Sequence, residues 1–191
     1  MSGVDRYHRR LVMLHWTLAV LIITMLAAGF LLLAQLPTSD QRVTIVLRWH
    51  VVGGAVILAL MIARVIVRLR EPRPAKATTG TKWLDWLIPV SHHGFYVLIF
   101  LTIAAGATTA VIANLFPVLF FGSGGTLPPD FMVYPSFQVH GLLATILANL
   151  VILHVLGVGY HQLFRKDGLL ARMSLGRGER RSEEKGGHAS R

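Results

Sequence analysis

Four stretches of the chain are almost wholly apolar, and short polar or glycine- and proline-bearing connections separate them. They run over residues 11–36, 49–69, 92–115 and 139–164. Each approaches or exceeds the roughly 20 residues that a helix needs to cross the hydrocarbon core of a bilayer. The pattern predicts an all-α membrane protein, a four-helix transmembrane bundle formed as one domain by residues 1–173. Residues 174–191 are basic and nearly free of apolar side chains, which predicts a disordered tail. The first stretch follows Arg9 and Arg10 as a signal peptide would, but it is too long for a cleavable segment and no small-x-small site follows it. It reads as a retained helix.

The connections differ in character. PTSDQ at 37–41 is a turn, EPRPAKATTG at 71–80 a loop, and Trp83 to Pro89 an interfacial lead-in to the third span. Residues 116–135 are rich in Phe, Gly and Pro, with Asp130 as their only charge. That segment is expected to lie on the outer interface or dip into it.

Composition adds orientation. The chain is 53% hydrophobic and carries a net charge of +10. In a soluble protein such a charge would point to nucleic acid, but here the cations are segregated. Arg6, Arg9 and Arg10 precede the first span, while Arg64, Arg68, Arg70, Arg73, Lys76 and Lys82 mark the end of the second and the loop after it. Arg165, Lys166 and Arg172 follow the fourth, and the other two connections hold only Arg42 and Arg48. The positive-inside rule therefore puts both termini and the middle loop in the cytoplasm, as expected of a multi-pass protein with lipid rather than nucleic acid around it. Cysteine is absent, which removes disulfides, thiolate metal sites and covalent haem attachment.

Histidines bring in the chemistry. The fourth stretch carries His140, His154 and His161. Fourteen residues separate the first two, about 21 Å along a helix and close to four full turns, so they share a face near opposite sides of the membrane. His161 joins that face seven residues later. His15 lies near the start of the first span and His50 at the outer end of the second. By depth, His15 matches His154 and His50 matches His140. The inner match requires the fourth helix to project beyond the membrane, because His154 lies eleven residues before Arg165 and His15 five after Arg10.

Zinc would want three or four ligands at one level, commonly with a carboxylate or thiolate, and no Asp or Glu lies within a span. A haem iron needs two axial nitrogens from facing helices. Arg64, on the face of His50 but near the cytoplasmic side, would suit a haem propionate. Arg68 reads as an interfacial, snorkelling residue beside it. Gly29 lies fourteen residues past His15 on the same face and Gly53 within a turn of His50; both are candidates for a haem environment. For Gly29, room for a planar group and close helix contact are both open. Of the adjacent His92 and His93, at most one can face the bundle. No period of repeat length, P-loop, G-x-G-x-x-G, G-x-S-x-G or H-E-x-x-H motif occurs.

These features occur within a set of ordered motifs: LHW at 14–16, RWH at 48–50, ARVIVRLREPRP at 63–74, SHHGFY at 91–96, VHG at 139–141, LH at 153–154 and YHQLFRKDGLLARM at 160–173. In them the chain resembles the bacterial cytochrome b561 family over nearly its whole length. The resemblance implies four helices holding two non-covalent b haems, with His15, His50, His140 and His154 as axial ligands of the iron. It also implies electron exchange with ubiquinone or another membrane quinone, and in one branch of the family oxidation of superoxide at the outer face. His161 falls in the closing motif, with Lys166 and Asp167 beyond it, a setting for hydrogen-bonding a quinone and relaying protons. The outer loop has no Lys or Arg to attract superoxide, leaving Arg42 and Arg48 as the only outer cations. Two further readings stand beside this one. The same haems could pass electrons from a dehydrogenase or hydrogenase partner to quinone, and a histidine-lined metal or proton transporter would be a different class altogether.

Overall fold

The computed structural model describes residues 8–71, 82–123 and 125–165. Lys166, Arg73, Lys76 and the tail expected at 174–191 lie outside the described residues. Helix α1 spans Arg9–Ala28 and opens where the His8 ring accepts the Arg10 N–H at 3.3 Å. It runs on into a π-helical turn at Gly29–Leu33. Helix α2 spans Gln41–Arg70 and starts at Asp40, whose carboxylate accepts the Arg42 N–H at 2.8 Å as an N-cap. It therefore begins well before the apolar run expected at 49, because Gln41, Arg42, Thr44 and Arg48 are polar enough to hide its first two turns from a hydropathy pattern.

Helix α3 spans Lys82–Ile112. The stretch expected to lead into the third span is thus already helical, and the apolar part of α3 runs over Val90–Ile112. The helix ends near Asn114, which takes the left-handed conformation at φ 50° that asparagine tolerates better than most residues. Helix α4 spans Pro135–Tyr160, with proline in the first turn, where its missing N–H costs nothing, and continues as a π-helical turn at His161–Arg165.

Each of the four helices contains a segment long and apolar enough to cross a membrane. Large apolar side chains such as Leu69, Val111 and Leu153 stand on the outside, as lipid-facing residues do. The protein is a multi-pass, all-α membrane bundle. It is built from two hairpins: α1 packs along α2 and α3 along α4, whereas α1 and α4 meet over a short length only. The cleft between the hairpins is the feature that positions the site.

At mid-height one layer closes the bundle. Leu18 of α1, Ile57 and Met61 of α2, Ile99 of α3 and Leu147 of α4 are all buried and in mutual contact. Leu147 lies seven residues from both His140 and His154, about 10 Å along the axis from each, so this apolar layer separates two histidine levels. A second cluster closes the end opposite Arg9 and Tyr160. There Val43, Ala110, Leu115, Leu119 and Leu127 are buried together, Leu119 completely. The segment expected to lie on the outer interface folds back on the bundle through a π-helical turn at Pro117–Phe121, stopped by Gly122 at φ 62°, and a short 3-10 turn at Phe131–Val133. Three of its aromatic residues, Phe116, Phe120 and Phe121, face outward.

Candidate functional site

Helix α4 presents one stripe of residues seven apart: His140, Leu147, His154 and His161. All four point inward to differing degrees, Leu147 and His161 being buried and the other two half-buried, while Leu153 beside His154 is 65% exposed. The seven-residue period keeps the stripe turned toward the opposite hairpin.

Across the cleft two rings answer it. The His50 ring of α2 lies with its centre 6.1 Å from that of His140, and the His15 ring of α1 lies 6.5 Å from His154. Two imidazoles sharing one metal ion, each nitrogen at the roughly 2.0–2.1 Å usual for such bonds, have ring centres about 6 Å apart. Both pairs match that spacing, and each spans the two hairpins. A histidine on one buried face is ordinarily satisfied by a neighbouring polar group, yet the Nδ1 of His50 is buried with no hydrogen-bond partner. Such an atom is rare in a folded chain and fits a ring whose partner is not a protein group. The donor set is one of neutral nitrogens, and among the described residues no three of His, Asp or Glu gather as a metal-binding group.

The other predicted residues fall around these pairs. Gly29 lies against His50, with an added Cβ at 3.8 Å from the ring, so the π-helical turn it opens is where α1 passes the His50 level. Gly53 instead faces Met25 of α1, whose Sδ would lie 2.5 Å from an added Cβ; there the missing side chain serves helix contact. Arg64 is half-buried near His15. Its Nε donates to the Tyr96 hydroxyl at 3.0 Å and its Nη1 to the Leu11 carbonyl at 3.5 Å, so it bridges α1, α2 and α3. Arg68 lies over the Tyr96 ring, 5.3 Å from its centre. His161 is buried beside Tyr160, two turns past His154, and Tyr160 stacks on Phe164.

Several contributors carried little signal in the sequence. His92 is half-buried with its ring 6.0 Å from His154, whereas His93 is exposed, so His92 is the one of the two that faces the bundle. Phe95 puts its ring 5.3 Å from His154. Helix α3 also supplies Tyr96, the Thr102 carbonyl, which lies 2.8 Å from the His140 Nδ1, and Gly106, which faces the same ring. The aromatic spacing of SHHGFY hinted at the first; a backbone oxygen leaves no trace in a sequence.

A family model described as prokaryotic cytochrome b561 matches residues 6–176. The chain belongs to the prokaryotic cytochrome b561 family. No curated protein sequence matches the chain. The match takes in all four helices and every histidine named above, and it makes the protein a transmembrane b-type cytochrome that carries electrons. For a cytochrome of this family the inter-hairpin cleft, lined by paired imidazoles and closed by apolar layers, has the donors and the polarity that a non-covalent b haem requires.

Proposed function

We propose that this cytochrome holds two b haems, one between His15 and His154 and the other between His50 and His140, and passes electrons between an outer donor and membrane quinone. The observation that carries this reading is the pairing itself: two imidazole pairs at metal-sharing distance, at two levels of one cleft. Haem supplies a one-electron centre at each level. The chain's own residues orient it, keep water out with the Leu18, Ile57, Met61, Ile99 and Leu147 layer, and balance its charge. His154 also lies near His92, 6.0 Å between ring centres, but α3 packs along much of α4, whereas α1 meets α4 over a short length only. His15 is therefore the better partner.

Arg64 is assigned to a propionate of the haem at the His15 level, since among the described residues its guanidinium is held by a phenol and a carbonyl and by no carboxylate. Arg64→Leu should lower the occupancy of that haem or raise its midpoint potential, and Arg68→Leu should do less. Redox titration of both variants tests this; equal and negligible effects would leave Arg64 as a snorkelling cation.

Both termini are assigned to the cytoplasm on the distribution of cations in the sequence, and the membrane to the bacterial inner membrane on the prokaryotic family to which the chain belongs. Quinone is then placed at the cytoplasmic level beside His161, which is buried, lies on the haem-facing stripe and can hydrogen-bond a carbonyl and relay protons, with Lys166 beyond it. His161→Ala should keep both haems and normal chemical reduction, yet slow haem oxidation by added ubiquinone severalfold in stopped-flow experiments. Unchanged quinone kinetics, or loss of haem, would move the search to the outer face near Arg48.

The outer donor is superoxide or an electron-donor protein. At that end Arg42 is held by Asp40 in a forked ion pair, Nη2 to Oδ2 at 2.6 Å, with Nε donating to both carboxylate oxygens, and hydrogen bonds from Arg42 hold the Asp40 carboxyl below the usual carboxylate range. Its charge is thus largely balanced, and cationic steering of superoxide rests on Arg48. This favours a donor protein, for which the outward Phe116, Phe120 and Phe121 offer an apolar surface. Reduction of the purified chain by superoxide at a rate close to diffusion would reverse that preference.

A further inference from the structure

We propose that helix α3 carries a seat for His140, made from the Thr102 carbonyl and the bare backbone of Gly106, which fixes the ring as a metal ligand before any haem arrives. The proposal rests on the reading of His50 and His140 as an axial pair.

The His140 Nδ1 stands 2.8 Å from the Thr102 carbonyl oxygen. A carbonyl can only accept, so Nδ1 must carry the ring proton. That leaves Nε2 as the nitrogen with the free lone pair, and the tautomer is set by geometry rather than by the ligand. The Thr102 carbonyl also faces the N–H of Gly106 four residues on, as in any α-helix, and a carbonyl oxygen has two lone pairs to serve both donors. The Thr102 hydroxyl takes no part; it donates to the Leu98 carbonyl at 2.7 Å.

Gly106 is what lets the ring reach this carbonyl. A Cβ built there would lie 2.8 Å from the His140 Nδ1 and 2.9 Å from its Cε1, closer than real Cβ contacts come. The imidazole fills the volume that any other residue's first carbon would need. Nothing can yield cheaply, because the nearest obstacle is Nδ1 itself, the atom that the hydrogen bond to the Thr102 carbonyl holds in place.

Among the described residues His140 is the only one of the four paired histidines whose ring is hydrogen-bonded; His50 opposite has its Nδ1 buried and unpartnered. The pair is therefore asymmetric. His140 is preset and made more basic by its N–H···O bond, which favours the oxidised iron, whereas His50 contributes a plain imidazole. Gly106 and Thr102 are positioning residues for this centre.

The test is Gly106→Ala in the full-length, haem-loaded protein, with Gly94→Ala as its control. Gly94 lies on the same helix facing the same neighbour, and its added Cβ would meet Leu150 at 3.8 Å, an ordinary contact. In Gly106→Ala, one of the two haem components should pass to an acceptor such as apomyoglobin roughly 10- to 100-fold faster, the usual cost of removing an outer partner of a metal ligand. Whatever fraction of that component remains should have a raised midpoint potential. The other component, and all of Gly94→Ala, should match the parent.

Parent-like retention and potential in Gly106→Ala would overturn the seat. So would equal damage from both glycine changes, which would mark general helix packing. If His140→Ala kept both components, the ligand assignment would fail and the seat with it; loss of one component in His140→Ala but none in Gly106→Ala would sink the seat alone. A second measurement does not depend on how the variant folds. In the reduced parent protein labelled with nitrogen-15 histidine, one ring N–H that disappears in His140→Gln should exchange slowly with deuterated solvent. A fast-exchanging or missing His140 N–H would contradict the proposal.

Discussion

His154→Ala should remove one of the two proposed haems and His15→Ala the same one, while His50→Ala and His140→Ala should both remove the other. This expectation follows from the geometry of the cleft. The rings of each pair are 6.5 and 6.1 Å apart, the spacing of two imidazoles on one metal, and the levels are separated by a closed apolar layer through which no single group reaches both. A haem without a covalent link to the chain depends on both axial bonds, so loss of either ligand should release it rather than weaken it slightly. Pyridine haemochrome assay of the four purified variants, with redox titration to identify the component that remains, checks the grouping. Should His15→Ala and His50→Ala lose the same spectral component, the pairing is wrong. Should His15→Ala keep both while His92→Ala loses one, the partner of His154 is the histidine of α3.

The second large effect is on assembly. His140→Ala combined with His154→Ala should leave no haem and a bundle whose two hairpins have lost their main tie. Helices α1 and α2 pack along each other, as do α3 and α4, but α1 and α4 touch only briefly. Both proposed haems lie across this weaker junction. Each stabilises the assembled form by about 4 kcal/mol when free haem exceeds its Kd a thousandfold, so loss of both far exceeds a typical point change. The double variant should unfold at a markedly lower temperature in mild detergent, and limited proteolysis should cut between the hairpins, in the connection from Glu71 to Lys82, faster than in the parent. A double variant with the parent's unfolding temperature and digestion pattern would mean that apolar packing alone closes the bundle.

Much of this could be read before any coordinates, and the reasons are physical. Hydrocarbon demands long apolar runs and penalises polar groups, so the four spans stand out by length, and His15, His50, His140 and His154 stand out as exceptions within them. The fourteen-residue step from His140 to His154 then put those two on one face of the fourth helix. What stayed hidden has physical causes as well. The start of α2 was obscured because its first two turns are polar, although Asp40 caps it. The partner of His140 is a backbone oxygen, which every residue has, and Gly106 looked like any glycine of a membrane helix. Gly53 resembled Gly29 in sequence terms, yet Met25 fills its face while Gly29 lies open to His50. Which of His92 and His93 turns inward depended on the exact phase of α3, which no residue between Val90 and Gly94 sets by itself. The outer segment was read from its lack of charge; its burial of Leu119 against Val43 and Leu115 required the tertiary fold.

The central claim is that one chain holds two haems, each between two imidazoles. A reduced-minus-oxidised absorption spectrum of the purified protein, with haem measured against chain by amino-acid analysis, tests it most directly. The account predicts two b haems per chain that titrate as two components. One haem per chain, in protein fully loaded during expression, would contradict it.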